Sequence, residues 1–138
     1  MSKASFSGPW DPTLLPSSHG SILLNPRSAS WVKSDIGIMC TFDIEVISMY
    51  KGTEDSTIRL GNLPFTSSNA LGYVGSLYVA YFSNMNSDIQ YFAGTISSNS
   101  TTSELWFNRK HSNALKRLTQ SDLKPTSRIV GTINYTSL

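Results

Sequence analysis

Ile38-Met39-Cys40-Thr41-Phe42-Asp43-Ile44-Glu45-Val46 is the stretch that decides the fold class. Ile38, Cys40, Phe42, Ile44 and Val46 occupy every second position, and Thr41, Asp43 and Glu45 fall between them. Strand side chains point alternately to opposite faces, so this spacing predicts a strand with one face in a core and one in water. Ile47 and Met49 lie in the opposite register, and the far end of the strand is expected to be covered on both sides. Lys51-Gly52-Thr53-Glu54-Asp55-Ser56 then breaks the pattern as a polar loop.

The same period recurs on either side. From about Gly72 to Ser83, Tyr73, Leu77, Val79 and Tyr81 share one face, and Val74, Tyr78, Ala80 and Phe82 the other. Aromatic and β-branched residues on both faces suggest a central strand buried between sheets or at a subunit contact. Shorter strands are expected at Ser21–Leu24, Ser30–Lys33, Thr57–Leu60, Ile89–Ile96, Glu104–Asn108 and Arg128–Tyr135. Turn chemistry separates them: Asn25-Pro26, Asp35-Ile36-Gly37, Asn84 to Asp88, Ser97-Ser98-Asn99-Ser100 and Lys124-Pro125. Only Ser112–Leu123 has room for a helical turn, with Ser121-Asp122 as its local cap. About eight strands at this spacing predict an all-β domain, an antiparallel β-sandwich of jelly-roll type. Residues 1–20 read as an extended lead-in and residues 21–138 as one head domain, with no internal repeat.

A chain of 138 residues is long enough to bury a core of its own. Charged residues are only 14%, and Ser, Thr, Asn and Gly fill much of the remainder, types that favour turns and solvated strand faces. Its short, interrupted apolar runs exclude a membrane-spanning helix. Ser2 to Pro9 has no apolar run of the kind a secretory signal needs. A formal charge of +2 is too mild to imply a nucleic-acid partner. The densest basic stretch, Arg109-Lys110-His111 with Lys116-Arg117, reads as a solvated loop. Cys40 stands alone, so no intrachain disulfide is available; its apolar neighbours make it a small core residue.

Catalytic chemistry is hard to assemble from this chain. His19 and His111 have no Cys, His or carboxylate at ligand spacing, whereas a metal site needs at least three converging ligands. Serines are abundant, but none stands in a G-x-S-x-G elbow. Asp43 and Glu45 would share a strand face about 7 Å apart, and Glu54, Asp55, Asp88 and Glu104 complete the acids an acid pair could draw on. An exposed polar face explains Asp43 and Glu45 with less effort. The glycines at 61, 72, 75, 94 and 131 match no phosphate-binding spacing. Asn99-Ser100-Thr101 and Asn134-Tyr135-Thr136 fit the glycosylation sequon, as chance predicts in so Asn- and Ser-rich a chain. Neither a catalytic residue nor a cofactor is expected.

Glu104-Leu105-Trp106-Phe107-Asn108 is more informative. With Leu105 and Phe107 inward, Trp106 and Asn108 point outward, beside the basic loop that begins at Arg109. An aromatic ring flanked by amides and a cation offers a stacking face with directional hydrogen bonds, the composition of sugar-binding surfaces. Trp106, Asn108, Arg109 and His111 are therefore the candidate ligand-binding residues. The alternative is that Trp106 lies at a subunit interface or under a loop.

Several segments together resemble the C-terminal receptor-binding head of bacteriophage tail fibres and related viral attachment proteins. Gly8-Pro9-Trp10-Asp11-Pro12-Thr13-Leu14 is similar to a G-x-W-x-P-T-L opening. Trp31-Val32-Lys33-Ser34-Asp35-Ile36-Gly37 is similar to a Y-x-K-x-G turn, with Trp31 in the tyrosine's place. Arg59-Leu60-Gly61-Asn62-Leu63-Pro64-Phe65-Thr66-Ser67 is similar to I-x-G-L-P-F-T-S, with Asn62 inserted. Leu118-Thr119-Gln120-Ser121-Asp122-Leu123 and the strand Ile129–Tyr135 are similar to the family's ending. The family's upstream fibre shaft is not within these 138 residues, so either an excised head or a short stand-alone spike protein is expected.

The resemblance implies a compact β-sandwich, commonly a homotrimer, that carries host-recognition loops on a virion tail fibre or spike. The expected function is then attachment to a host surface glycan or protein, without nucleic acid or membrane insertion. A structural capsid or tail component that contacts only neighbouring subunits is the alternative, and a glycan-degrading enzyme a third. Phe65 is expected to plug the core, because Pro64 forces Leu63 to be extended and removes a ladder donor.

Overall fold

The computed structural model describes residues 6–18, 20–51 and 55–138, so His19 and residues 52–54 of the expected polar loop, Glu54 among them, lie outside it. Ten strands form one antiparallel sheet: β1 (Phe6–Pro9), β2 (Thr13–Pro16), β3 (Gly20–Ser34), β4 (Gly37–Lys51), β5 (Ile58–Gly61), β6 (Tyr73–Ser83), β7 (Ile89–Ser97), β8 (Ser103–Arg109), β9 (Lys116–Arg117) and β10 (Arg128–Tyr135). Their order is β1-β3-β4-β10-β6-β7-β8-β5-β2, and β9 pairs with the far part of β8. The all-β antiparallel expectation stands. The strands pair as one continuous curled sheet, and this pairing does not by itself divide them into the two stacked sheets of the expected sandwich or jelly roll.

Curling follows from the first strands. β1 and β2 sit at opposite ends of the sheet, yet only residues 10–12 lie between them. Within the expected extended lead-in, the chain thus pairs with β3 by its first half and with β5 by its second. Trp10 makes the joint. Its ring is buried and meets Phe42 edge-on at 6.0 Å, and its Nε1–H donates to the Asn62 carbonyl at 2.5 Å. Asn62, the inserted residue, has a φ of 63° and returns its side-chain amide to the Asp11 carbonyl at 2.8 Å. Asn tolerates that left-handed conformation better than most side chains.

The alternation read in β4 is the inner wall of the curl. Ile38, Cys40, Phe42, Ile44 and Val46 are all buried. Opposite pairs continue the core: Ile129 faces Ile44 and Ile133 faces Cys40 across β10. Burial in this apolar setting pushes the Cys40 thiol up to about 12, so at neutral pH it is a protonated packing group. At Gly131 a Cβ would collide with the Tyr78 carbonyl and stand 2.9 Å from the Phe42 ring, so the sheet can bend there only because that side chain is missing.

Four local expectations need correction. Ser21–Leu24 and Ser30–Lys33 are not separate strands but parts of β3, which pairs with β4 throughout, with irregularities at Leu23/Leu24 and Pro26/Ser28. A proline that lacks an N–H is tolerated where a bulge has already interrupted the ladder. The far end of β4 is not covered on both sides: Ile47 is 51% exposed, because β10 stops at the level of Glu45. β6 is central in the sheet but not buried between sheets: Tyr78 and Tyr81 are exposed in the single chain, as the alternative of a subunit contact would also have them. Ala80 is an extra residue opposite Val130/Gly131, which moves Phe82 to the core side with Leu77 and leaves Tyr81 outside. Finally, the helical turn is a single 3-10 turn, Gln120–Asp122, capped by Thr119 with Asp122 reaching back to its backbone, and Lys116–Arg117 before it is extended.

Candidate functional site

The segments that carry the family resemblance meet inside the scaffold. Phe65 is partly buried, so it closes the rim of the core and does not plug its centre. Its ring lies edge-on to Trp31 at 4.9 Å, with Lys33 Nζ 4.4 Å from its centroid. Its backbone is clamped by Tyr135: the phenol donates to the Phe65 carbonyl at 2.8 Å and accepts from the Phe65 N–H at 3.1 Å. Burial pushes the Tyr135 phenol well above the usual tyrosine range, so it keeps the proton it donates. Ser67 is buried and ties the same segment to the Ser97 carbonyl and the Ser100 N–H. Asp122 is likewise committed locally, accepting from Thr119 and Ser87. These motifs hold the fold together.

The outer face holds two other groups of side chains. Toward β4 and β10, Asp43 takes a bidentate pair from Arg128 at 2.9 and 2.7 Å, and Arg27 stands 3.7 Å from both Asp43 and Glu45. The Arg128 hydrogen bonds hold the Asp43 carboxyl below its usual range, against a smaller opposing effect of burial. A general acid needs the opposite shift, so these two carboxylates read as a cross-strand ion-pair network.

Toward β6, β7 and β8 lies an open groove of about 370 Å³, lined by Tyr73, Tyr91, Ala93, Gly94, Thr95, Trp106 and Leu115. The expected orientation of β8 is correct: Leu105 and Phe107 are buried and Trp106 faces out. Trp106 is opposite Ala93, whose small side chain leaves the floor of the groove low. The indole is held on two sides. Its Nε1–H donates to Thr95 Oγ1 at 3.3 Å, and the Arg117 guanidinium lies over the ring, 5.3 Å from its centroid. Arg117 in turn is 3.8 Å from Glu104. Tyr73 and Tyr91 are 66% and 59% exposed, and Leu115 is also exposed.

Of the four candidate residues, only Trp106 lines this groove. Asn108 is half-buried and donates to the Ser112 carbonyl at 3.0 Å, closing its own hairpin loop. Arg109 ends β8 in the open. His111 is exposed at a φ of 63°, a position in the turn that its neighbours' bonds define, with Ser112 N–H on the Arg109 carbonyl at 3.1 Å. Lys110 pairs with Asp88 at 3.4 Å. Sequence reasoning missed Tyr73, Tyr91, Leu115 and Arg117. The signal for Tyr91 was present, since it alternates with Phe92 and shares its face with Ala93 and Thr95. No signal placed Tyr73 or Leu115 beside Trp106, because that depends on pairing between strands.

A second apolar groove, of about 470 Å³, lies at the β3–β4 hairpin, where Val32, Ile36, Met39 and Val74 approach the end of β10. Ile36 at its tip is 86% exposed. Among the described residues no three His, Cys, Asp or Glu side chains come together as a metal site would require, and no helix is long and apolar enough to cross a membrane.

No family model matches the chain, and no curated protein matches it in sequence. Among solved structures, the crystal structure of the Dettilon tailspike protein superposes with a TM-score of 0.72 at 15% identity, over 95% of this chain and 24% of that one. The chain thus spans about a quarter of that protein's length, and identity at this level carries no residue roles across. The chain is similar to part of a phage tailspike protein in its fold.

Proposed function

We propose that this chain is a host-attachment domain of a viral or phage tail, which works by binding a host surface glycan or protein and not by catalysis. The observation that carries the reading is the groove beside Trp106. Aromatic side chains are held in the open on the outside of a sheet whose core lies entirely on the other face. Exposed aromatics without a core to serve mark a binding surface. The fold shared with a tailspike protein supports a place on the virion tail. In this reading the domain is a homotrimer, as the family resemblance implies, and three weak sites gain avidity by acting on one surface.

The apolar groove at Val32, Ile36 and Met39 favours a second reading, a structural tail component that only joins neighbouring subunits. Fluorescently labelled protein incubated with a panel of candidate host cells separates the two. Attachment predicts cell-type-selective staining that isolated surface polysaccharide or surface protein competes away. Uniform absence of staining across the panel, with assembly into larger tail particles, would favour the structural reading.

A further inference from the structure

We infer that the groove between Tyr73, Tyr91 and Trp106 binds an uncharged pyranose unit of a glycan chain. This rests on the attachment reading and narrows it to a place and a ligand class. The occupant follows from what lines the groove. Its walls are aromatic, its floor is the small pair Ala93 and Gly94, and no lining residue carries a charge. Beside the groove, Arg117 and Glu104 face each other at 3.8 Å, and the guanidinium nitrogens Nε and Nη2, which have no hydrogen-bond partner, are buried and so not presented to a ligand in solution. Hydroxyl groups stand among the rings, on Tyr73, Tyr91 and Thr95, and Thr95 Oγ1 accepts the indole N–H and so retains its own proton to donate. A ligand that matches must present a flat C–H face to the rings and hydroxyls to the rim. A neutral sugar ring does both; an aliphatic side chain lacks the hydroxyls, and an acidic sugar meets no charged residue in the lining.

Preorganisation supports the same conclusion. Trp106 is fixed before any ligand arrives, by Thr95 at the indole nitrogen and by Arg117 over the ring. Ordering a large side chain is a main cost of binding, and here it is already met by the fold. The volume of about 370 Å³ lies within the range of small-molecule sites. Being open and shallow, the groove suits a unit within a longer chain and a weak affinity per site.

The test follows the indole N–H signals of the intact protein by two-dimensional NMR, with Trp106 assigned from Trp106→Phe. The probes are the methyl glycosides of glucose, galactose, mannose, rhamnose and N-acetylglucosamine, with glucuronate and sialic acid as charged counterparts. At least one neutral glycoside at millimolar concentration should move the Trp106 signal and leave the buried Trp10 signal in place. Tyr91→Ala should weaken that binding by roughly tenfold, the loss of one stacking partner. Tyr50→Ala, exposed at the far end of β4 where that strand pairs with β3, should leave it unchanged. If Trp106→Phe fails to fold, Tyr91→Ala and Tyr73→Ala carry the comparison.

Three outcomes overturn the inference: no shift with any neutral glycoside, equal or stronger salt-sensitive shifts with the acidic sugars, or a Trp106 signal that moves only with protein concentration, which would assign the groove to a second copy of the chain. Host staining that persists in Tyr91→Ala sinks this site while leaving the attachment reading intact. Glycoside binding without staining of any host does the reverse.

Discussion

Replacing Tyr135 by Phe tests whether the resemblance motifs act as a structural clamp. The phenol makes two hydrogen bonds to one residue, donating to the Phe65 carbonyl at 2.8 Å and accepting from its N–H at 3.1 Å. Phe keeps the buried ring, so almost no cavity forms, and the loss is confined to those bonds. Each contributes about 0.5–1.5 kcal/mol, and the partly buried Phe65 backbone is left without its partner, so the expected cost is about 1–3 kcal/mol. For a domain of this size that lowers Tm by roughly 4–12 °C. Tyr78→Phe, at an exposed position, is the control and should stay within about 0.5 kcal/mol of wild type. Urea denaturation followed by fluorescence reports both, since Trp31 touches Phe65. The sign with pH is also set. A phenol whose pKa is raised by folding contributes stability below its unfolded value of about 10 and loses it as pH rises further. Tyr135→Phe should therefore flatten the alkaline fall in stability. Indistinguishable midpoints for Tyr135→Phe and Tyr78→Phe would refute the clamp.

Phe42→Ala should cost about 3–5 kcal/mol and leave mostly insoluble protein, because Phe42 is buried in the curl. Phe65→Ala, at the rim, should cost roughly half as much and remain soluble; the reverse order in denaturation midpoints would contradict the assigned burial. Asp43→Asn should flatten the acid limb of the stability curve by at most about 1 kcal/mol. The depressed carboxyl contributes above its unfolded pKa and loses that contribution as pH falls, and an unchanged limb would remove the Arg128 pair from the account. Deleting residues from Ile129 onward removes the strand between β4 and β6 and should abolish soluble expression; a folded truncation would show that β10 is dispensable. Light scattering on the intact chain should report about three times its 15.2 kDa mass, and a monodisperse monomer at micromolar concentration would remove the trimer and its avidity.

Much of the fold was legible where residues alternate strictly, as in β4, β8 and β10, because a strand's two faces are written into consecutive positions. Reading failed where the backbone departs from regular pleating. The bulge at Ala80 exchanges the faces of Tyr81 and Phe82, and Pro26 sits in an interrupted ladder where a turn was expected. The closing joint at Trp10 and Asn62 was hidden for another reason: it joins residues 52 positions apart, and no local pattern announces such a contact. The candidate site was half legible. Trp106 could be placed outside from its own strand, whereas Tyr73, Tyr91 and Leu115 become its neighbours only through strand pairing. Asn108, Arg109 and His111 were chosen for adjacency in sequence, but the hairpin turns them into loop-forming and solvent-facing positions.

Cell binding by matched variants decides whether attachment runs through the outer-face groove. Labelled wild type, Tyr91→Ala, Trp106→Ala and an Arg109→Ala control would be titrated on a host strain that stains with the wild type, with Tm measured for each. Both groove variants should lose most of the bound signal while folded, Tyr91→Ala at near-wild-type Tm, and Arg109→Ala should keep it. Full binding by folded groove variants, or loss of binding only on Arg109→Ala, would contradict it.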